Sequence, residues 1–218
     1  GTFGAVFLYF WRDTKLALCG VPRMLTGRFD PPGARLAFLL TVATIPVSIA
    51  GFLLKITGLN DAMRSIAVIG WAMILFGILL WWMDQRGPHT KTEGDWSLKD
   101  AVKMGLWQAL ALIPGTSRSG ITITGARQLG YARADAAKLA MLMSIPTIIA
   151  SGALLSLDVI AEANMALAKD AAIAAVFSFF AALLALALMM RLLRSISFTP
   201  YVIYRILLGV ALLFIAYS

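Results

Sequence analysis

The chain alternates between long apolar runs and short clusters of charge. Charged side chains are expensive in hydrocarbon, so the uncharged gaps mark candidate membrane spans. Four gaps stand out: Leu36–Leu54, Ser65–Met83 and Leu139–Leu157, each of 19 residues, and Ala171–Met190, of 20. A helix needs roughly 20 apolar residues to cross a bilayer. A fifth candidate, Pro200–Ser218, carries Arg205 about one and a half turns in, which reads as a side chain snorkelling to the interface rather than one reaching a lipid phosphate. Residues 1–11, GTFGAVFLYFW, are apolar but short, and read as the tail of a span whose start is absent.

Residues 104–126 break the pattern. Fourteen uncharged residues, Met104–Ser117, are followed by Arg118 and only eight more, so neither half crosses alone. The break reads PGTSRSG, with Pro114, Gly115 and Gly120 among small hydroxyl residues. Irregular backbone at membrane depth is tolerated only where protein or a wet cavity satisfies its polar groups. The expected form is a re-entrant helix–loop–helix over 101–130.

Composition agrees with the spans. Of 218 residues, 60% are hydrophobic and 14% charged, with mean hydropathy +0.83. A soluble fold of this size could not hide that much apolar surface. Disorder, collagen-like and disulfide-scaffold classes are excluded, and Cys19 is the one cysteine. The net charge of +8 is first a topology signal. No basic stripe is interleaved with aromatics, so no nucleic-acid partner is expected. Basic residues crowd 12–35 and 191–194, and acids crowd 158–170. The positive-inside rule puts the first two in the cytoplasm and the third outside, and this holds only if 104–126 turns back.

The resulting expectation is an all-α polytopic membrane protein. It is one integral-membrane domain, an inverted-repeat bundle of about six transmembrane helices. Residues 1–83 are the remainder of a first repeat whose own re-entrant hairpin is missing, 84–100 a cytoplasmic loop, and 101–218 the second repeat.

Chemistry concentrates at 108–122. A lone intramembrane arginine is a functional-site hypothesis by default. Arg118 lies between Ser117 and Ser119, with Thr116 and Thr122 close by. Glycines let backbone amides approach a ligand, and a helix restarting after Ser119 aims its positive end at the loop. A guanidinium grips phosphate oxygens bidentately. The pattern predicts an anion pocket, for phosphate. The competing reading has Arg118 paired with a carboxylate and the glycines serving close packing.

The segment PGTSRSGITIT resembles the PGxSRSxxT signature of the bacterial undecaprenyl-pyrophosphate phosphatases, the bacitracin-resistance family. GTFGAVFLYFWRD, GLWQALALIPGTSRSG, AAKLAMLMSIPTIIASGALL and SFTPYVIYRILLG resemble other parts of that family, so the resemblance covers nearly the whole chain. It implies hydrolysis of undecaprenyl pyrophosphate to the monophosphate in the bacterial inner membrane, which recycles the lipid carrier for peptidoglycan synthesis and confers bacitracin resistance. It implies Arg118 and Ser117 as catalytic residues. Gly115, Thr116, Ser119, Gly120, Thr122 and Gln108 would bind the substrate phosphates, Gln108 from the preceding half-helix. The family also carries an upstream hairpin with paired glutamates and a Ser-rich loop ending in His, and nothing in this chain matches it. A divalent cation, Mg or Ca, is expected with its ligands in that segment. These residues alone are expected to be inactive, a fragment holding the phosphate clamp without the acid/base half.

Two other readings compete. The type-2 phosphatidic-acid phosphatases place a His a few residues after their Ser-Arg, and no His follows Ser117-Arg118. A lipid-carrier flippase would need only the clamp, and phosphate release separates it from a phosphatase. Smaller candidates read as structural: Asp95 and Asp100 as helix caps rather than metal ligands, Trp81 and Trp82 as an interface belt, Met141 and Met143 as packing, and His89 as a solvated loop residue.

Overall fold

The computed structural model describes residues 1–58, 63–86, 90–159, 165–193 and 195–218. His89, Arg194 and Glu162 lie outside them, as do the side chains of Asp158 and Asp170, so the acidic-loop reading falls largely outside the described residues. The described residues are overwhelmingly helical. In chain order the helices are α1 Thr2–Tyr9, α2 Trp11–Leu25, α3 Pro32–Thr57, α4 Ile66–Arg86, α5 Leu98–Ala109, α6 Arg118–Gln128, α7 Arg133–Val159, α8 Met165–Leu192 and α9 Thr199–Tyr217.

Among the described residues, four stretches are long and apolar enough to cross a membrane: Pro32–Thr57, Ile66–Arg86, Ile173–Leu192 and Thr199–Tyr217. The expected 139–157 span lies within the single helix α7. The helices run past the charges at which the spans were cut. Lys55 is inside α3, and Asp84 and Arg86 are inside α4. A charge ends the hydrocarbon-compatible run but not the hydrogen-bond ladder, which continues into the interface. The basic stretch after Trp11 is also helical. Thr14, Ala17 and Gly20 form its buried face, while Arg12 and Lys15 stay outside the core.

The fold divides into two compact units. One comprises Gly1–Thr41 and Met141–Leu192. Within it α1 packs on α8, where a Cβ on Gly4 would come within 3.2 Å of the Phe179 ring. The other comprises Val42–Ala140 and Leu193–Ser218 and holds the 108–122 segment. Its backbone is the pairing of α9 with α4. A Cβ on Gly209 would sit 2.9 Å from the Gly70 carbonyl oxygen, so small residues set this close crossing.

The re-entrant hairpin forms where the break in hydropathy places it. Helix α5 ends in a 3-10 turn at Leu110–Leu112, the chain loops through 113–117, and α6 returns. A Cβ on Gly125 would come within 2.5 Å of the Trp107 ring, so the two arms touch. The hairpin packs against α4 through α6.

Candidate functional site

The loop at the tip of the hairpin is built by two unusual backbone positions. Gly115 has φ +87°, and a Cβ there would lie 2.5 Å from the Ile69 carbonyl oxygen on α4. Only glycine meets both demands. Ser117 has φ +67°, the one non-glycine with positive φ among the described residues. Such a conformation costs of order 1–3 kcal/mol and clusters at functional sites. Ser117 is also the N-cap of α6. Its Oγ accepts from the Gly120 amide at 3.3 Å, one of the donors a helix start leaves without an intrahelical partner.

Arg118 is the first residue of α6, so its guanidinium leaves from the positive end of a helix. It is partly buried, and among the described residues it has no carboxylate or carbonyl partner. The reading in which Arg118 merely balances a carboxylate therefore finds no carboxylate.

A second arginine joins it. Arg205, on α9, is 3% exposed. Its Nη2 donates to the Gly115 carbonyl oxygen at 2.7 Å, its Nη1 to the Tyr201 hydroxyl at 3.3 Å, and its Nε to the Met73 carbonyl oxygen at 3.4 Å. A Cβ on Gly120 would lie 3.3 Å from Nη1, so this cation stands directly beside the start of α6. Gly77 of α4 faces the Arg205 stem. The snorkelling assignment for Arg205 is thereby corrected: the side chain turns inward because α4 and the loop offer carbonyls that it can hold without reaching water. All three recorded partners are neutral, so the positive charge is solvated but not cancelled. The signal was present in the sequence, since an arginine inside a span is a site candidate wherever it falls.

The other expected residues divide. Gly115, Ser117 and Gly120 meet at the loop with Arg205 and Tyr201. The Thr116 hydroxyl is fully buried and has no hydrogen-bond partner among the described residues. Thr122 donates to the Arg118 carbonyl oxygen at 2.8 Å, so its proton is spent inside α6 and only its lone pairs remain for other use. Ser119 is half-buried one position beyond Arg118. Gln108 is fully buried on α5.

At the opposite end of α6 the arginines are ion-paired. Arg127 is fully buried, with Nε 2.9 Å from Asp84 Oδ1. Its terminal amines donate to the Tyr131 and Asp84 carbonyl oxygens at 2.6 and 2.9 Å. Arg133 grips the same carboxylate with Nε at 2.9 Å and Nη2 at 3.1 Å. Asp84, counted in the sequence as a loop acid, is thus a buried hub on α4. Nearby, Asp100 takes hydrogen bonds from the Tyr131 hydroxyl at 2.8 Å and Lys91 at 3.0 Å. Burial alone would raise the Asp100 carboxyl, but those bonds outweigh it and hold it below its ordinary value. Burial, with the Asp100 contact, pushes the Tyr131 phenol well above its own. Asp95 closes a capping box with Thr92, as the capping reading expects.

Among the described residues no three His, Cys, Asp or Glu side chains converge. A lipid phosphate or another oxyanion is what the tip of the hairpin can hold: two guanidinium groups, a helix start and several hydroxyls, with no competing carboxylate among the described residues.

Comparison with known proteins agrees with that chemistry. Residues 1–211 match the family model described as bacitracin resistance protein BacA. Over all 218 residues the chain is 66% identical to an undecaprenyl-diphosphatase of Jannaschia sp. (strain CCS1), and equally to one of Ruegeria pomeroyi, covering 82% of each relative. It is 45% identical over 217 residues to undecaprenyl-diphosphatase 1 of Rhodospirillum rubrum, covering 77% of it. The multi-pass helical chain with an arginine-lined re-entrant loop therefore belongs to the bacitracin resistance protein BacA family.

Proposed function

We propose that this protein hydrolyses undecaprenyl diphosphate to undecaprenyl phosphate in the bacterial inner membrane, returning the lipid carrier to peptidoglycan synthesis and thereby conferring bacitracin resistance. The observation that carries this reading is the pair Arg118 and Arg205 at the start of α6, partly and fully buried, with no carboxylate beside either among the described residues. A buried cation without a counter-charge is costly, and a dianionic head group would relieve that cost on binding.

In the reaction, water adds to the terminal phosphorus and the bond to the bridging oxygen breaks. Inorganic phosphate leaves, and the lipid keeps the monophosphate. Negative charge grows on the phosphoryl oxygens and the bridging oxygen. Fixed donors aimed at that charge lower the barrier without reorganising. Arg118 supplies a planar fork, Ser117 and Ser119 supply hydroxyls, and the first turn of α6 supplies amides and dipole. Arg205 fixes the loop through Gly115 and adds positive potential.

The family resemblance implies a divalent cation. The described residues around the loop are cationic or hydroxyl-bearing and do not make a metal site, so no step is routed through a metal. They also offer no general base. Residues 1–218 by themselves are accordingly expected to bind the diphosphate head group without releasing phosphate.

Phosphate release by the intact purified protein from undecaprenyl diphosphate tests the proposal. The expected result is one phosphate per lipid, lost in Arg118→Ala. Binding of the lipid without phosphate release by the intact protein would favour the flippase reading.

A further inference from the structure

We propose that Tyr201, held by Arg205, is a positioning residue that orients the Ser117 hydroxyl so that it donates its proton toward the substrate phosphate. The inference rests on the diphosphatase reading above.

Three hydrogen bonds converge here. Arg205 Nη1 lies 3.3 Å from the Tyr201 hydroxyl oxygen and, being a guanidinium, can only donate to it. The Tyr201 hydroxyl lies 3.0 Å from Ser117 Oγ. Ser117 Oγ also accepts from the Gly120 amide at 3.3 Å. Either hydroxyl can be the donor in this contact; we assign the proton to Tyr201, whose oxygen already accepts from Arg205, so that it passes to Ser117. Both acceptor positions of Ser117 are then filled, by Tyr201 and by Gly120. Its own proton is left to point away from both donors, into the loop.

That direction matters. A serine hydroxyl free to rotate could accept from Arg118 or turn into the protein. One with both lone pairs engaged can only donate, and a phosphoryl oxygen gaining charge is the strongest acceptor the reaction brings. The backbone is shaped for this, since the positive φ of Ser117 places Oγ between α9 and the first turn of α6. The chain from Arg205 through Tyr201 to Ser117 thus links α9 to the N-cap hydroxyl of α6, distant in sequence.

The test is Tyr201→Phe in the intact protein, which removes one oxygen and keeps the ring. Loss of one aligning hydrogen bond in the reacting complex is expected to lower kcat about tenfold, with KM within about twofold and unchanged thermal stability. In a Ser117→Ala background the same change is expected to have no further effect on the residual rate, because its target is gone. Wild-type kcat in Tyr201→Phe, or an equal loss in both backgrounds, overturns the inference. Phosphate release that is lost in Arg118→Ala but intact in Tyr201→Phe sinks this inference alone. Absence of release from the wild type sinks the diphosphatase reading and this one with it.

Discussion

The two ends of helix α6 carry the same residue type and treat it oppositely. At the far end Arg127 is fully buried and ion-paired to Asp84, which Arg133 also grips. At the near end Arg118 and Arg205 have no carboxylate at all among the described residues, and Arg205 spends its donors on carbonyl and hydroxyl oxygens. Within the 11 residues of α6 the chain passes from an arginine left without a carboxylate to one ion-paired with a carboxylate. The far end holds α4, α6 and α7 together. The near end keeps its charge in reserve for a ligand. Arginine burial alone does not mark a site; arginine burial without a counter-charge does.

The sharpest way to break this contrast is to remove the carboxylate. Asp84→Ala leaves Arg127 buried and unpaired and is expected to cost about 3–5 kcal/mol, enough to abolish folded yield. Size-exclusion profiles and thermal unfolding in detergent check it. Arg205→Met should keep its folded yield while losing phosphate release. If the Asp84 variant folds normally and the Arg205 variant does not, the roles of the two ends are exchanged.

A smaller effect sharpens the shape of the near end. Gly115→Ala places a Cβ 2.5 Å from the Ile69 carbonyl oxygen at φ +87°. The loop must move, at a cost of about 1–3 kcal/mol. The expected outcome is a lowered Tm and a larger fractional loss of phosphate release, because Arg205 holds this residue's carbonyl. Equal losses of Tm and activity across Gly115→Ala and Gly125→Ala would mean that the loop geometry has no special role.

An effect of similar size belongs to the far end and depends on pH. Tyr131→Phe removes a 2.8 Å bond to Asp100 and is expected to lower stability at pH 7 by about 1.5–3 kcal/mol. Asp100 is depressed in the folded state, so this stabilisation is full above its ordinary value of 3.8. It is lost as pH falls through the lower folded value. The difference between wild type and variant should therefore shrink on acidification, which thermal melts across pH would show. A gap that stays constant down through that range would mean that the tyrosine contributes only packing.

Much of this molecule was legible in its sequence, for one reason: charge in hydrocarbon is costly, so spans, the hairpin and the arginine at its tip announce themselves. Helix ends were not legible, because a ladder of backbone bonds continues past the last apolar residue, and this hid Asp84 inside α4. Arg205 was seen but placed wrongly. Near the start of a span, an arginine that snorkels and one that turns inward look alike until the neighbouring helix supplies the carbonyl of Met73 and the loop that of Gly115. Tyr201 gave no signal of its own, since its importance lies in a partner 84 residues away.

The central claim is that Arg118 is a two-point grip on phosphate rather than a structural charge. Turnover of undecaprenyl diphosphate by Arg118→Lys and Arg118→Ala, measured beside folded yield, tests it most directly. Lysine keeps the charge but loses the planar fork. The expected result is normal yield for both variants and a loss of roughly 10² to 10³ in rate for each, the scale of one missing transition-state contact in a dry site. Near-normal turnover in the lysine variant would contradict the grip and leave only a requirement for positive charge.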